Sequence, residues 1–192
     1  MILSNVEIVR CLNEKLFSIS PLKGTDPRKK PFNTSALDLQ LGSEIAIPKN
    51  DVPAQLDLGK GSIARYWALH SDRRTISEDQ PFSLKQGKFV LAKTLEEVDF
   101  PLHAEGTCFA ARIEGRSSLA RCGVLVHFTA PTIHAGFKGT ITLEIINLGA
   151  WDFLLTPGMP ICQLIIEEVK GHPVDAPNQF KGQKKPVGVI NL

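Results

Sequence analysis

The sequence has few cysteines, almost no net charge and no long apolar run, and each shortage excludes a class of protein. Its 192 residues carry a formal charge of only +2. No basic stripe interleaved with aromatic residues occurs, which excludes a strongly basic nucleic-acid-binding protein. No apolar segment approaches the ~20 residues of a membrane-spanning helix, and the first residues lack the apolar core of a signal peptide. We therefore expect a cytoplasmic protein that binds neither nucleic acid nor membrane.

The cysteines are scattered along the chain rather than paired. They are Cys11, Cys108, Cys122 and Cys162, and no CxxC pair occurs. A chain of this length can bury its own core, so we expect reduced thiols rather than a disulfide framework. The contents of hydrophobic residues, 43%, and of charged residues, 22%, are ordinary for a globular protein.

Alternation of apolar and polar residues predicts strands along most of the chain, because strand side chains alternate between two faces. The predicted strands are residues 37–41, 89–94, 108–113, 141–146, 154–155 and 161–169. Glycine and proline separate these short segments, which is typical of an all-β architecture. We predict a single, mainly β domain over residues 1–192, with a mobile C-terminal tail over about residues 171–192.

The remaining segments carry weaker patterns. Residues 4–16 are predicted as a helix, because they begin with a capping box and repeat apolar residues at every fourth position. The proline-rich residues 21–33 are predicted as a loop. The strand that contains Asp38 is expected to end at Gly42. Residues 48–81 are compatible with either a hairpin or a longer excursion.

Residues 114–144 carry the densest polar chemistry of the chain. They read EGRSSLARCGVLVHFTAPTIHAGFKGTITLE and place two arginines and two serines within residues 116–121. A turn is predicted at Cys122 and Gly123. The closing strand puts Glu144 on the face opposite to that of Leu143. Guanidinium groups, hydroxyls and a carboxylate therefore lie on one β framework, as a site requires.

This stretch resembles the dCTP deaminase family, whose fold is shared with trimeric dUTPases. The resemblance rests on GRSSLAR at 115–121, HFTA at 127–130 and GFKGTITLE at 136–144, and weaker matches extend it over most of the chain. It implies a distorted jelly-roll, a dUTPase-like β-barrel with a short N-terminal helix. It also implies a homotrimer with sites between subunits, and hydrolytic deamination of a small-molecule nucleotide, dCTP, to dUTP and ammonia.

Zinc is used by most nucleobase deaminases, but this sequence contains only half of the zinc pattern. The pattern requires His-x-Glu followed by Pro-Cys-x-x-Cys. His103, Ala104 and Glu105 supply the first half, and nothing supplies the second. We therefore predict no zinc and no metal held by protein ligands. The resemblance implies Mg²⁺ bound mainly through the triphosphate oxygens of the substrate.

Without a metal, a carboxylate must take a proton from the attacking water and return protons to the substrate. Glu144 lies between Leu143 and Ile145 in a predicted strand, where a dry environment would raise its pKa. A strand glutamate more often faces solvent, and the pattern alone favours that position. The resemblance assigns Glu144 the role of proton shuttle.

The GRSSLAR motif supplies the next candidates. Ser117 and Arg121 are four residues apart and lie on one face of a short predicted helix, and the alternative is an N-cap serine with a surface arginine. By resemblance, these two residues position the water and the cytosine. Arg116 and Ser118 would face the phosphates at the helix N-terminus. The residues whose backbone groups would read the base edge are Phe128, Thr129 and Ala130.

Further candidates are expected around the sugar and the triphosphate. Phe137 either stacks beneath the sugar, where it would exclude a 2′-hydroxyl, or is an ordinary core residue. Gln163 is either a strand residue or part of the site. By resemblance, the tail closes over the triphosphate, and the alternative is a disordered basic terminus. The tail candidates are Phe180, Lys181 and Gln183.

One position departs from the family pattern. The family usually has Asp-Pro before the Gly-aromatic pair, and this chain has His134 and Ala135 there. The family's Asp binds the sugar 3′-hydroxyl and, in relatives that cleave pyrophosphate, helps to orient the attacking water. His134 can bind a hydroxyl but replaces a carboxylate poorly, so we expect dUTP as the product. A bifunctional deaminase and dUTPase releasing dUMP and pyrophosphate, and a non-catalytic nucleotide sensor, are the alternatives.

Overall fold

The structure is a computed structural model, and it describes residues 1–50, 63–175 and 184–186. Within these residues the helices are α1 (Asn5–Asn13), α2 (Ile63–His70) and α3 (Ser117–Ala120). The strands are β1 (Ser18–Ser20), β2 (Phe32–Asn33), β3 (Ala36–Pro48), β4 (Ser71–Thr75), β5 (Phe82–Leu84), β6 (Phe89–Asp99), β7 (Cys108–Gly115), β8 (Val124–Leu125), β9 (Thr132–Ile133), β10 (Lys138–Asn147), β11 (Phe153–Leu155) and β12 (Pro160–Val169). The mainly β prediction is confirmed. None of the helices described is long and apolar enough to cross a membrane.

The short N-terminal helix is confirmed as well, although it ends earlier than expected. The hydroxyl of Ser4 accepts a hydrogen bond from the backbone N–H of Glu7 at 3.3 Å, which caps α1. The Glu7 carboxylate pairs with Arg10. Lys15 has φ +58°, and its backbone N–H donates to the carbonyl of Leu12. This turn of the backbone ends the helix at Asn13.

Ten strands form one curled antiparallel sheet. Its main path is β8-β10-β6-β3-β12-β7-β9, with β1 beside β6 and with β2 and β4 beside β3. The prediction that Gly42 ends its strand is wrong, because β3 continues through it to Pro48. A Cβ at Gly42 would lie 3.0 Å from the carbonyl oxygen of Lys93. Glycine is therefore needed here for the close approach of β6, not for a turn.

The inner face of the curled sheet holds the main core. Phe17, Phe100 and Phe109 are among its largest buried side chains, and the ring of Phe17 lies 5.4 and 5.2 Å from the other two. On β10, Leu143 faces this core, whereas Glu144 lies half-buried on the opposite face, as the alternation predicts. We call that opposite face of β10, β6 and β3 the outer face.

Two short connections lead between the two sides of the sheet path, one from β7 to β8 and one from β8 to β9. Residues 116–123 lead from β7 through α3 to β8, and residues 126–131 lead from β8 to β9. Because β8 and β9 are the two ends of the path, and because six extended residues span only about 20 Å, the sheet has to curl. Both connections carry predicted site residues.

A close backbone contact ties the first connection to the end of β10. Gly123 has φ +84°, and a Cβ there would lie 2.5 Å from the backbone nitrogen of Gly149. The N–H of Leu148 donates to the carbonyl of Gly123 at 2.8 Å. The buried side chain of Asn147 fixes this loop, since it accepts from the N–H of Gly149 at 2.9 Å and donates to the carbonyl of Trp151 at 2.7 Å. The turn predicted at Gly123 is therefore present.

Residues 48–81, for which the sequence left a hairpin or an excursion open, contain α2 and β4. Residues 51–62 lie outside the residues described. β4 pairs with β3, and α2 brings Trp67 onto the outer face of the sheet, where it packs against Ala46 and Leu91. These side chains form a small apolar cluster apart from the main core.

Candidate active site

The carboxylate of Glu144 occupies the outer face near the middle of β10. Its cross-strand partner on β6 is Leu91, which is buried. Burial raises the pKa of Glu144, and this effect exceeds the opposing effects of backbone N–H donors, including that of Phe128, and of nearby His127. Glu144 is therefore partly buried, although the pattern alone favoured solvent exposure.

The connection of residues 126–131 passes beside this carboxylate. Val126 is buried at its start, and the carbonyl of Pro131 at its end accepts from the N–H of Ile113 at 2.9 Å. Between these anchors the backbone N–H of Phe128 lies near the Glu144 carboxylate and lowers its pKa, in opposition to burial. Phe128, Thr129 and Ala130 are exposed. The middle of the loop is therefore accessible to solvent.

His127 is a residue that the sequence singled out only as part of a motif. It is half-buried beside Glu144. Its Nδ1 is buried and has no hydrogen-bond partner among the residues described. A buried ring nitrogen without a partner is uncommon, so His127 has an unused donor or acceptor next to the raised-pKa carboxylate.

The structure brings Ser117 and Arg121 onto one helical turn. The backbone N–H of Arg121 donates to the carbonyl of Ser117 at 3.1 Å. Ser117, Ser118 and Arg121 are all exposed. Within the described part of this single chain, no hydrogen bond or ion pair joins α3 to Glu144. The predicted catalytic residues therefore form two separate groups in one chain.

Arg116, expected to face phosphate, points inward to Asp38. One guanidinium nitrogen lies 2.6 Å from the Asp38 carboxylate, which is only 3% exposed. Burial alone would raise the pKa of Asp38, but hydrogen bonds from Gln163, Asn33 and Lys30, together with the Arg116 ion pair, outweigh it and lower that pKa. Asp38 is thus an anchor for the residue that caps α3, a place that the sequence did not assign to it.

Three further candidates differ in how deeply they are buried. The amide nitrogen of Gln163 donates to Asp38 at 3.1 Å, so Gln163 belongs to the polar network under Arg116. Phe137 is 6% exposed and packs in the main core, in agreement with its plainer interpretation. His134 is exposed, and its carbonyl accepts from the N–H of Phe137 at 3.1 Å in the turn before β10.

Part of the C-terminal tail also lies on the outer face. The carbonyl of Lys184 accepts from Nζ of Lys93 at 3.0 Å, and the carbonyl of Pro186 accepts from the hydroxyl of Thr142 at 3.2 Å. Thr142 is two residues from Glu144 on the same face of β10. The candidates Phe180, Lys181 and Gln183 lie outside the residues described.

The half-pattern for zinc has its own structural partners. Nε2 of His103 lies 2.8 Å from the carbonyl oxygen of Leu16, and the backbone N–H of His103 donates to the sulfur of Cys108 at 3.4 Å. Among the residues described, no group of three or more His, Cys, Asp or Glu is placed to hold a metal ion. All four cysteines are unpaired.

A protein-family model matches most of the chain. The model described as dCTP deaminase-like matches residues 2–169. The chain belongs to the dCTP deaminase-like family. A Dictyoglomus turgidum protein named "dCTP deaminase, dUMP-forming" is 36% identical over 185 residues, which are 96% of this chain and 89% of that protein. A Shewanella frigidimarina protein named "dCTP deaminase" is 34% identical over 187 residues, which are 96% of this chain and 92% of that protein.

One solved structure shares the fold at low sequence identity. The crystal structure of 2′-deoxycytidine 5′-triphosphate deaminase from Agrobacterium tumefaciens superposes with a TM-score of 0.64 at 18% identity. The match covers 88% of this chain but 47% of the Agrobacterium chain, so this chain spans about half of that one. The resemblance read from the sequence to the dCTP deaminase family is therefore confirmed.

Proposed function

We propose that the chain deaminates dCTP hydrolytically to dUTP and ammonia, with Glu144 as the proton shuttle. The observation that carries this proposal is a half-buried carboxylate opposite Leu91, with a raised pKa and a backbone N–H donor from Phe128 beside it. The family match and the relatives named dCTP deaminase support the substrate. The sensor alternative is disfavoured because Ser117, Arg121 and Glu144 are all present.

The chemistry follows from one carboxyl group that alternates between two protonation states. Ionised Glu144 takes a proton from a water that attacks C4 of the cytosine, and the new C–O bond gives a tetrahedral centre. The C4–N3 π electrons move onto N3, which takes the proton from Glu144. Glu144 then removes the proton of the C4 hydroxyl and delivers it to the amino group, so that the C4–N bond breaks, ammonia leaves and the C4 carbonyl forms. A pKa raised toward neutrality suits both roles, because a catalytic group works best when its pKa lies near the operating pH.

The remaining residues are proposed to act across a subunit interface. Ser117 and Arg121 would reach Glu144 from a neighbouring chain of a homotrimer, which suits their separation from Glu144 within one chain. Arg116 has five N–H donors, so it can contact Asp38 and still offer donors to phosphate beside Ser118. Mg²⁺ would be held mainly by triphosphate oxygens. A nucleotide substrate suits a cytoplasmic setting.

The outer face supplies the other contacts. Backbone groups of residues 128–130 would read the base edge. The tail residues Phe180, Lys181 and Gln183 would close over the triphosphate, in keeping with the place of Lys184 and Pro186 on the same face. Phe137, from its core position, would support the sugar subsite through its backbone rather than by an exposed ring.

A second candidate function differs from the proposed one in its product. His134 stands where pyrophosphate-cleaving relatives have a carboxylate, which favours dUTP. Two relatives, from Dictyoglomus turgidum and Methanosphaera stadtmanae, are named dUMP-forming, which favours dUMP and pyrophosphate. Incubation of the protein with dCTP and Mg²⁺, with products identified by mass, separates the two. Accumulation of dUTP and ammonia supports the proposal, and stoichiometric pyrophosphate supports the rival.

A further inference from the structure

Three aromatic side chains run in a row from α2 to the loop beside Glu144. We call Trp67, Phe89 and Phe128 the aromatic row. The ring centroids of Trp67 and Phe89 are 5.9 Å apart, and those of Phe89 and Phe128 are 5.7 Å apart. Both distances lie within the range of about 4.5–7 Å in which aromatic pairs attract each other. The row is continuous along the outer face.

One end of the row lies beside Glu144, and the rest packs on the residue opposite it across the strands. The backbone N–H of Phe128 lies near the Glu144 carboxylate, where it lowers the pKa of that group. Trp67 and Phe89 pack on the cluster that contains Leu91, and Leu91 is the cross-strand partner of Glu144. The row therefore borders Glu144 on its loop side through Phe128, and on its strand side through Leu91.

The contact with Phe89 also holds the middle of the loop. The side chain of Phe128 is 44% exposed, and the ends of the loop are held at Val126 and Pro131. Without the ring contact, the residues between these ends would keep their anchors but lose a side-chain contact that fixes the N–H of Phe128 against Glu144.

We propose that Trp67 and Phe89 are positioning residues for the catalytic carboxylate: they hold Phe128 beside Glu144 and keep bulk solvent away from it. This inference rests on the proposed function and gives α2 a role in it. Among the charged groups on neighbouring elements, His127 after β8 acts on the charge of Glu144, Lys93 lies on the outer face of β6, and α2 carries Arg65 and His70. Lys93 is paired with Glu44 at 3.3 Å. Neither Trp67 nor Phe89 is charged, so replacing them changes hydration and position but not charge.

The expected direction of the effect follows from the causes of the raised pKa. Admitting water near Glu144 lowers its pKa, whereas losing the N–H of Phe128 raises it, since that bond favours the ionised form. Burial is the largest of these influences. Truncation of the row should therefore lower the pKa of Glu144.

The experiment compares Trp67→Ala and Phe89→Leu with two references. Trp67→Phe keeps an aromatic ring in the row, and Leu69→Ala removes an exposed side chain of the same helix that lies outside the row. The carboxyl resonance of Glu144 is titrated by ¹³C NMR without nucleotide, and kcat/KM for dCTP is measured against pH. Circular dichroism confirms that each variant is folded.

We expect both truncations to lower the pKa of Glu144, to move the acid limb of kcat/KM to lower pH, and to lower kcat about 10–100-fold through misplacement. Trp67→Phe should keep most of the wild-type pKa of Glu144 and most of the wild-type kcat, and Leu69→Ala should match the wild type in both. A folded Trp67→Ala or Phe89→Leu variant with unchanged Glu144 titration would overturn the inference. Because the titration needs no turnover, it is read even if the wild-type protein fails to deaminate dCTP, an outcome that would reject the proposed function alone.

Discussion

The Arg116 guanidinium lies 2.6 Å from the carboxylate of Asp38, and this ion pair is the anchor of α3. Arg116 is the N-cap residue of that helix, and its carbonyl accepts from the N–H of Ala120 at 2.9 Å. A helix of only four residues has little stability of its own. The positions of Ser117 and Arg121 therefore depend on a buried carboxylate that lies on β3, far away in the sequence.

Replacing Asp38 by Asn should destabilise the protein by about 3 kcal/mol, the lower end for breaking a buried pair, since Arg116 keeps part of its exposure. Because the pKa of Asp38 is lowered in the folded state, its contribution is present above the unfolded pKa of about 3.9 and is lost as pH falls through the folded pKa. The difference between the variant and the wild type in urea unfolding should shrink below about pH 4.

The control for this change is Glu114→Gln. It breaks an exposed pair with Arg112 at 3.4 Å and should alter stability by less than about 1 kcal/mol. Equal destabilisation by the two substitutions would contradict the anchoring role of Asp38.

Glu144→Gln should make the protein more stable at neutral pH while it removes the proposed shuttle. The pKa of Glu144 is raised in the folded state, so the folded chain loses stability as pH rises from the unfolded pKa of about 4.3 through the folded pKa. A neutral glutamine avoids that loss. Unfolding at pH 8 should show a gain that vanishes near pH 4.

Glu96→Gln provides the matched comparison for this prediction. Glu96 is 4% exposed and its pKa is also raised by burial, but it lies inside the core region and accepts from the N–H of Gln40 at 2.9 Å. Both variants should gain stability at pH 8, and only Glu144→Gln should lose deamination. Lower stability of Glu144→Gln at pH 8 would show that its carboxylate is not in a dry environment.

Complementation tests the proposed interface site. Ser117→Ala and Glu144→Gln chains should each be inactive. If one chain supplies Ser117 and its neighbour supplies Glu144, mixed trimers refolded from equal amounts should recover about a quarter of the sites. Light scattering should give the mass of a trimer. A fully active monomer would reject the interface, and a trimer without recovery would mean that both residues act from one chain.

His134 should determine the product. The unmodified protein should release no pyrophosphate from dCTP or dUTP, and His134→Asp should introduce slow release, because a carboxylate can orient water toward phosphorus. His172→Asp, an equal change of charge at another exposed histidine, should not. Pyrophosphate released by the unmodified protein in step with ammonia would establish the bifunctional alternative.

The sequence predicted those features that depend on neighbours along the chain. The alternation on β10 put Glu144 opposite to Leu143, and Ser4 marked the start of α1. The burial of Glu144 could not be predicted, because Leu91 reaches it only through the register of β10 with β6. The partners of Asp38 could not be predicted for the same reason, since Arg116 follows the end of β7 and Gln163 lies on β12.

The position of α2 is a second feature that the sequence could not predict. Its sequence has no period that places Trp67 on the outer face, so its contact with Phe89 is visible only once the sheet has formed. Likewise, the strand through Gly42 was cut short because glycine usually interrupts a strand. The approach of the β6 backbone, which requires glycine there, is a property of the assembled sheet.

The most direct test of the account is turnover of dCTP by Glu144→Gln beside the wild type, with ammonia and nucleotide products measured in the same samples and nucleotide binding measured separately by calorimetry. We expect the variant to bind dCTP with near-normal affinity and to lose deamination by at least about 10²–10⁴-fold, the contribution of general acid–base catalysis. Near-normal deamination by the folded variant would contradict the assignment of Glu144 as the proton shuttle.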